Sequence, residues 1–208
     1  EKYAAAGGKV ITTSIIRHPW NGQTFDPFES MVAKTRKLDG SWEYDYSVFD
    51  KWVEFAMSCG VTEQIDCYTI VPWGYNFEYF DVATATVKLI DCKPGEQAYE
   101  DFILPLLTDL ARHLKEKGWF EKTCIAMDER PMDQLRAARK VLLAADPEYR
   151  IKGAVNYSPE VVDLMYDISI IYQYSDMPQA VVDQRRTDHL HTTIYTCCQP
   201  EHPNTFTF

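Results

Sequence analysis

Asp128 and Glu129 stand side by side directly after the apolar run at residues 123–127. Each of two adjacent carboxyl groups disfavours the ionisation of the other, which helps keep one protonated near neutral pH. A protonated acid beside an ionised partner is what cleavage of a glycosidic bond requires. Neighbours on a regular strand point to opposite faces, so both can serve one substrate only where the chain twists or bends. An acidic chain carries such dipeptides by chance, and it is the placement at the end of an apolar run that gives this one weight.

Elements able to hold such a pair are legible in the hydrophobic pattern. Short apolar, β-branched runs at residues 10–16, 64–71, 123–127, 150–155, 167–173 and 191–196 read as strands covered on their faces. Between them lie helix signals. Asp26-Pro27-Phe28-Glu29 offers a cap, an N1 proline and an acidic third residue ahead of a helix over 30–37. Ser47 is placed to cap a helix over 48–59 that Gly60 ends. Phe102, Leu106, Leu110 and Leu114 form a stripe stopping at Gly118, with Pro105 marking a start or a kink. Pro131 fits N1 of a helix ending near Ala145, Ser158-Pro159-Glu160 opens a short one, and Pro178 another. Residues 72–96 form a long insertion after the second strand.

Alternation of this kind specifies a parallel α/β sheet, either doubly wound or closed into a barrel. No Gly-rich phosphate loop follows any strand; Gly7-Gly8 precedes its strand, and Ile16 leads into Arg17-His18-Pro19-Trp20. The reading is therefore a (β/α)8 barrel of which this chain supplies about six βα units. In such barrels the chemistry collects at the C-terminal strand ends. Those ends carry His18 and Trp20, Trp73 and Tyr75, Asp128 and Glu129, Asn156 and Tyr157, and Tyr172 and Tyr174. Aromatic rings, amides and carboxylates suit a sugar: rings pack on its C–H faces while polar groups hold its hydroxyls. The plainer alternative is that strand ends are polar because they meet water. Trp73 and Tyr75 read equally as a sugar wall or as a packed loop anchor, and His18 reads as a structural hydrogen-bonder.

Composition narrows the function. With 31 acidic against 21 basic residues the net charge is -10, which repels phosphate backbones and argues against nucleic acid. No apolar run is long enough to span a bilayer. The six cysteines lack CxxC or zinc-ribbon spacing, and several, such as Cys124, sit inside apolar runs where Cys behaves as a small buried hydrophobe. His189 and His191 have no third ligand nearby in the sequence, so no metal and no cofactor is expected.

Trp42-Glu43-Tyr44-Asp45-Tyr46, Phe49-Asp50-Lys51-Trp52-Val53, Pro72-Trp73, Gly118-Trp119, Ala126-Met127-Asp128-Glu129-Arg130-Pro131, Tyr195-Thr196-Cys197-Cys198 and Pro203-Asn204-Thr205-Phe206 together resemble glycoside hydrolase family 123 over nearly the whole chain. The resemblance implies a β-N-acetylgalactosaminidase with a barrel catalytic domain, often preceded by a β-rich domain. It further implies a retaining, substrate-assisted mechanism, in which the 2-acetamido oxygen of the sugar attacks the anomeric carbon. Asp128 would then orient the acetamido N–H as an oxazolinium forms, and Glu129 would act as general acid and then base. Either Tyr172 or Tyr174 becomes a candidate donor to the acetamido oxygen. The glycan is the expected partner, and a periplasmic or extracellular location follows by analogy. The alternative is a barrel that binds carbohydrate without turning it over. Residues 1–208 are expected to be a single catalytic domain truncated at both ends, since six units fall short of the eight that close a barrel and leave open edges, so activity is expected to need flanking chain.

Overall fold

The structure, a computed structural model, describes residues 1–171 and 176–195. From the N-terminus come α1 (Lys2–Ala5), β1 (Val10–Ser14), β2 (Ala33–Arg36), β3 (Trp42–Asp45), α2 (Ser47–Ser58) and β4 (Gln64–Tyr68). Then follow β5 (Asn76–Asp81), β6 (Thr86–Asp91), α3 (Gln97–Glu116), a 3-10 turn (Phe120–Lys122), β7 (Thr123–Met127) and α4 (Met132–Ala145). The chain continues through β8 (Arg150–Val155), α5 (Pro159–Val162), β9 (Asp167–Ile171), α6 (Gln179–Thr187) and β10 (His191–Tyr195).

Six of these strands form one parallel sheet in the order β1-β4-β7-β8-β9-β10. These are the expected runs, although β1 and β4 stop at Ser14 and Tyr68 rather than at 16 and 71. Alternation divides each strand. Ile11, Ile65, Ile125, Ile151, Ile168 and Ile170 join a core with Phe49 and Val53 of α2, Leu106 and Leu110 of α3, and Leu135 and Leu142 of α4. The opposite face carries Gln64, Asp66, Tyr68, Lys152 and Asp167. Contacts across that face show that the sheet is curled. Gln64 Nε2 on β4 donates to Asp167 Oδ2 on β9 at 2.8 Å. Those strands lie three places apart, about 14 Å in a flat sheet, so the sheet must bend into a half-barrel whose concave face is polar.

The helices follow their punctuation with two adjustments. Asp45 Oδ1, not Ser47, accepts the Ser47 N–H at 2.8 Å at the head of α2. Pro131 occupies the cap rather than the first turn of α4. Helix α3 runs through Pro105, sustained by eight buried side chains from Tyr99 to Leu114. In α5, Ser158 Oγ accepts the Val161 N–H at 3.3 Å, but the helix has only 4 residues. Such a short α5 leaves a cavity of about 670 Å³ between α5 and α6.

The helix expected over 30–37 is absent. Val32 and Lys34 are buried while Ala33 and Arg36 are exposed, the period of a strand. Strand β2 pairs with β3 across a tight turn at Asp39-Gly40, where Gly40 takes a φ of 83° and donates its N–H to the Lys37 carbonyl at 2.9 Å. The insertion over 72–96 supplies the hairpin β5–β6. Together these make a second sheet, β3-β2-β5-β6, which lays Trp42, Phe77 and Tyr79 on Phe102 of α3. It holds the far end of the β4–β5 loop through β5, while β4 in the parallel sheet holds the near end, so the segment that reaches the strand-end rim is anchored at both ends.

Cys67, Cys92 and Cys124 are buried free thiols. Burial pushes the Cys67 thiol up to about 12 and the Cys92 thiol to about 11, so both stay protonated and unreactive. Cys197 and Cys198 lie outside the described residues. Among the described residues no helix is long and apolar enough to cross a membrane.

Candidate active site

Every residue of β7 is buried, and the chain breaks out of the sheet immediately after Met127. Arg130 N–H returns to the Asp128 carbonyl at 2.8 Å, closing a tight turn. That turn removes the objection to adjacent carboxylates, because beyond Met127 the residues no longer obey strand alternation. Asp128 is half-buried and Glu129 is exposed.

Each carboxylate is held by a different element. Trp73, on the β4–β5 loop, donates its indole Nε1–H to Asp128 Oδ2 at 2.9 Å. Tyr195, the last residue of β10, donates its hydroxyl to Glu129 Oε1 at 3.0 Å. Burial raises the pKa of Asp128; the Trp73 hydrogen bond opposes this, the Glu129 carboxylate adds to it, and Arg130 opposes it. Asp128 is thus drawn toward one side of the concave face and Glu129 toward the other.

Arg130 packs on the aromatic pair of the β4–β5 loop. Its guanidinium carbon lies 4.6 Å from the Trp73 ring centroid and 5.1 Å from that of Tyr75. Its Nη2 also donates to the Tyr75 hydroxyl, which in turn donates to Gln134 Oε1 on α4. One face of each ring is therefore taken by protein, so the two act as anchors of the loop. Lys93 Nζ stands 5.8 Å from the Tyr75 centroid.

Tyr68, at the C-terminal end of β4, lies near enough to Asp128 to feel its charge. It follows Gln64 and Asp66 on the concave side of β4, and its ring lies 5.0 Å from Trp20. Burial, then the carboxylates of Asp128, Asp66 and Asp167, raise its hydroxyl well above the usual tyrosine range, so it remains a neutral donor. Sequence reasoning missed it because the strand was read on to residue 71, which hid Tyr68 in its interior. Arg130 and Tyr195 lay inside quoted motifs without being given a role.

The other expected residues divide. Trp20 is held between Tyr68 and Phe28, the latter at 4.9 Å, and the Pro19 carbonyl accepts the Trp73 N–H at 3.1 Å, so the loop after β1 abuts the dyad's support. His18 takes a left-handed φ of 49° and bonds through its backbone N–H to the Phe28 carbonyl at 2.8 Å. Its Nε2 is 4.0 Å from Glu29 Oε1, beyond hydrogen bonding. Asn156 is exposed after β8. Tyr157 packs toward the α5–α6 cavity, not toward the carboxylates. Tyr172 and Tyr174 lie outside the described residues. His191 opens β10 and rests its ring 5.0 Å from Tyr166.

Comparison with known proteins agrees with this arrangement of elements. No curated protein matches the chain. Among solved structures, a family 123 glycoside hydrolase from Clostridium perfringens, studied for the details of glycolipid glycan hydrolysis, is 33% identical and superposes with a TM-score of 0.88. The match covers 99% of this chain and 38% of that one, so the chain spans well under half the length of its relative. The family profile described as the glycoside hydrolase 123 catalytic domain matches residues 1–208. On that match, over its whole length, the chain belongs to glycoside hydrolase family 123.

Proposed function

We propose that this chain carries the catalytic carboxylates of an enzyme that removes terminal β-linked N-acetylgalactosamine with retention, using the 2-acetamido group of the substrate as nucleophile. The supporting observation is the divergent anchoring of the dyad, with the Trp73 indole on Asp128 and the Tyr195 hydroxyl on Glu129. Carboxylates held from opposite sides address different atoms of one sugar. Asp128 accepts the acetamido N–H and stabilises the positive charge as the acetamido oxygen bonds to the anomeric carbon. Glu129, the more exposed, gives its proton to the leaving oxygen, then takes one from the water that opens the oxazolinium. Tyr68 and Trp20 line the floor on the Asp128 side, and Trp73 and Tyr75 its wall.

Flanking chain completes an eight-stranded barrel in this reading, and a further β-rich domain adjoins it. The enzyme meets its glycan in the periplasm or outside the cell. The test uses the full-length protein with β-N-acetylgalactosaminides of good and poor leaving groups. Glu129→Gln is expected to cost about 10²–10⁴-fold on the poor leaving group and far less on the good one. Asp128→Asn is expected to cripple both. Equal losses for both leaving groups in Glu129→Gln would remove the acid role.

A further inference from the structure

Trp73 is the hydrogen-bond donor to Asp128, yet it sits on a loop, outside any regular element. Its backbone is tied to the neighbouring rim loop through the Pro19 carbonyl. Its side chain needs a separate restraint, because an indole held by one hydrogen bond retains rotamer freedom. Arg130 supplies a face for it. The guanidinium stacks against both Trp73 and Tyr75, and through the Tyr75 hydroxyl the contact continues to Gln134 on α4. A planar cation on an aromatic face is a directional contact that an ammonium does not reproduce.

We propose that Arg130 is a positioning residue of the acidic pair: it clamps the Trp73 indole against Asp128 and so locks the turn after β7, the β4–β5 loop and the first turn of α4 into one unit. Its charge acts in the same direction, since Arg130 opposes the effect of burial on Asp128. Among the described residues the other charged and titratable groups near Asp128 are Glu129 on the same turn and Tyr68 from β4, with Lys93 Nζ 5.8 Å from the Tyr75 ring centroid and Tyr195 reaching Glu129 from β10. Arg130 is the cation of that set on Asp128's own turn. The catalytic consequence rests on the reading of Asp128 as an ionised acceptor for the acetamido group; the structural consequence does not.

The experiment pairs two measurements on the full-length protein: the carboxyl ¹³C titration of Asp128, assigned by its loss in Asp128→Asn, and the pH profile of kcat and KM on an aryl β-N-acetylgalactosaminide. Arg130→Gln removes the charge and is expected to raise the Asp128 midpoint by about one pH unit, with the acidic limb of the profile moving up alongside. Arg130→Lys keeps the charge and is expected to leave the midpoint near wild type while lowering kcat about tenfold with little change in KM. In a Trp73→Phe background Arg130→Lys should add little further loss, because the residue through which it acts is gone. If both Arg130 variants, with wild-type near-ultraviolet circular dichroism, leave the Asp128 midpoint and kcat unchanged, the proposal is overturned. Should Arg130→Gln fail to fold, Arg130→Lys and the Trp73 background decide the matter. If the wild type shows no turnover, the proposed activity fails, and the ¹³C midpoint still decides on Arg130.

Discussion

The concave face of the sheet holds acidic residues at two levels, and the two are stabilised in opposite ways. Near the strand starts, Asp66 and Asp167 are 2% and 4% exposed and share a cation, Lys152, whose Nζ lies 2.7 Å from Asp66 and 3.5 Å from Asp167. Gln64 donates to both carboxylates at 2.8 Å. At the strand ends, Asp128 and Glu129 each have one neutral donor, and among the described residues neither forms an ion pair. Charges taken wholly out of water must be paired, because an isolated buried carboxylate is too costly to keep ionised. Charges meant for a substrate must retain unfilled lone pairs, and so sit where water can reach them in its absence. The lower cluster ties strands β4, β8 and β9 together across the concave face; the upper pair keeps lone pairs unfilled, which is what the proposed role in binding a substrate requires.

This contrast is best broken at Lys152. Its pKa is raised by Asp66 against the opposing effect of burial, so its charged form stabilises the fold at every pH below the ordinary lysine value, and that contribution is lost only as pH climbs through the raised one. Lys152→Met removes the cation paired with both buried carboxylates, leaving Arg185 as a longer-range counter-charge to Asp167, and is expected to cost about 2–4 kcal/mol at pH 7, measured by urea unfolding. The loss should shrink on acidification, as the orphaned carboxylates take up protons. An unchanged midpoint would show that the cluster is not what holds the strand starts.

The mirror experiment gives a smaller effect of opposite sign. Asp128 has a raised pKa in the folded protein, so the folded state binds its proton more tightly than the unfolded chain. Stability contributed by that proton is full below the unfolded carboxylate value and declines as pH rises through the raised one. Asp128→Asn keeps an acceptor for the Trp73 indole while removing the charge. It is expected to raise stability by about 0.5–1 kcal/mol at pH 7 and by nothing near pH 3, while activity is lost. A variant less stable than wild type at pH 7 would mean that Asp128 serves the fold as Asp66 does.

The same contrast explains what could be read from residues alone. The six parallel strands announce themselves because each is a nearly continuous apolar run, and the dyad is visible because it ends one. The second sheet is hidden. Strands β2 and β3 have only 4 residues each, and β2 pairs with β5 some forty-five positions away, where Thr35 meets Phe80. Asp26-Pro27 imitates a helix start, and the hairpin signal of Asp39-Gly40 between two short strands goes unread. Likewise Arg130 is adjacent to the dyad in sequence, yet its partners Trp73 and Tyr75 are over fifty residues distant and are joined to it by the parallel pairing of β4 with β7. Lys152 and Asp167 read as ordinary strand charges until the bend brings them to Asp66.

The central claim, that the acetamido oxygen of the sugar is the nucleophile assisted by Asp128, is tested most directly by weakening that oxygen. Aryl β-galactosaminides bearing N-acetyl, N-fluoroacetyl, N-difluoroacetyl and N-trifluoroacetyl groups differ little in size but lose nucleophilicity with each fluorine. With the full-length enzyme, kcat is predicted to fall steeply along the series, by at least about tenfold overall, or 1.4 kcal/mol in the barrier. A flat series would contradict the account and place the nucleophile on the protein or in water.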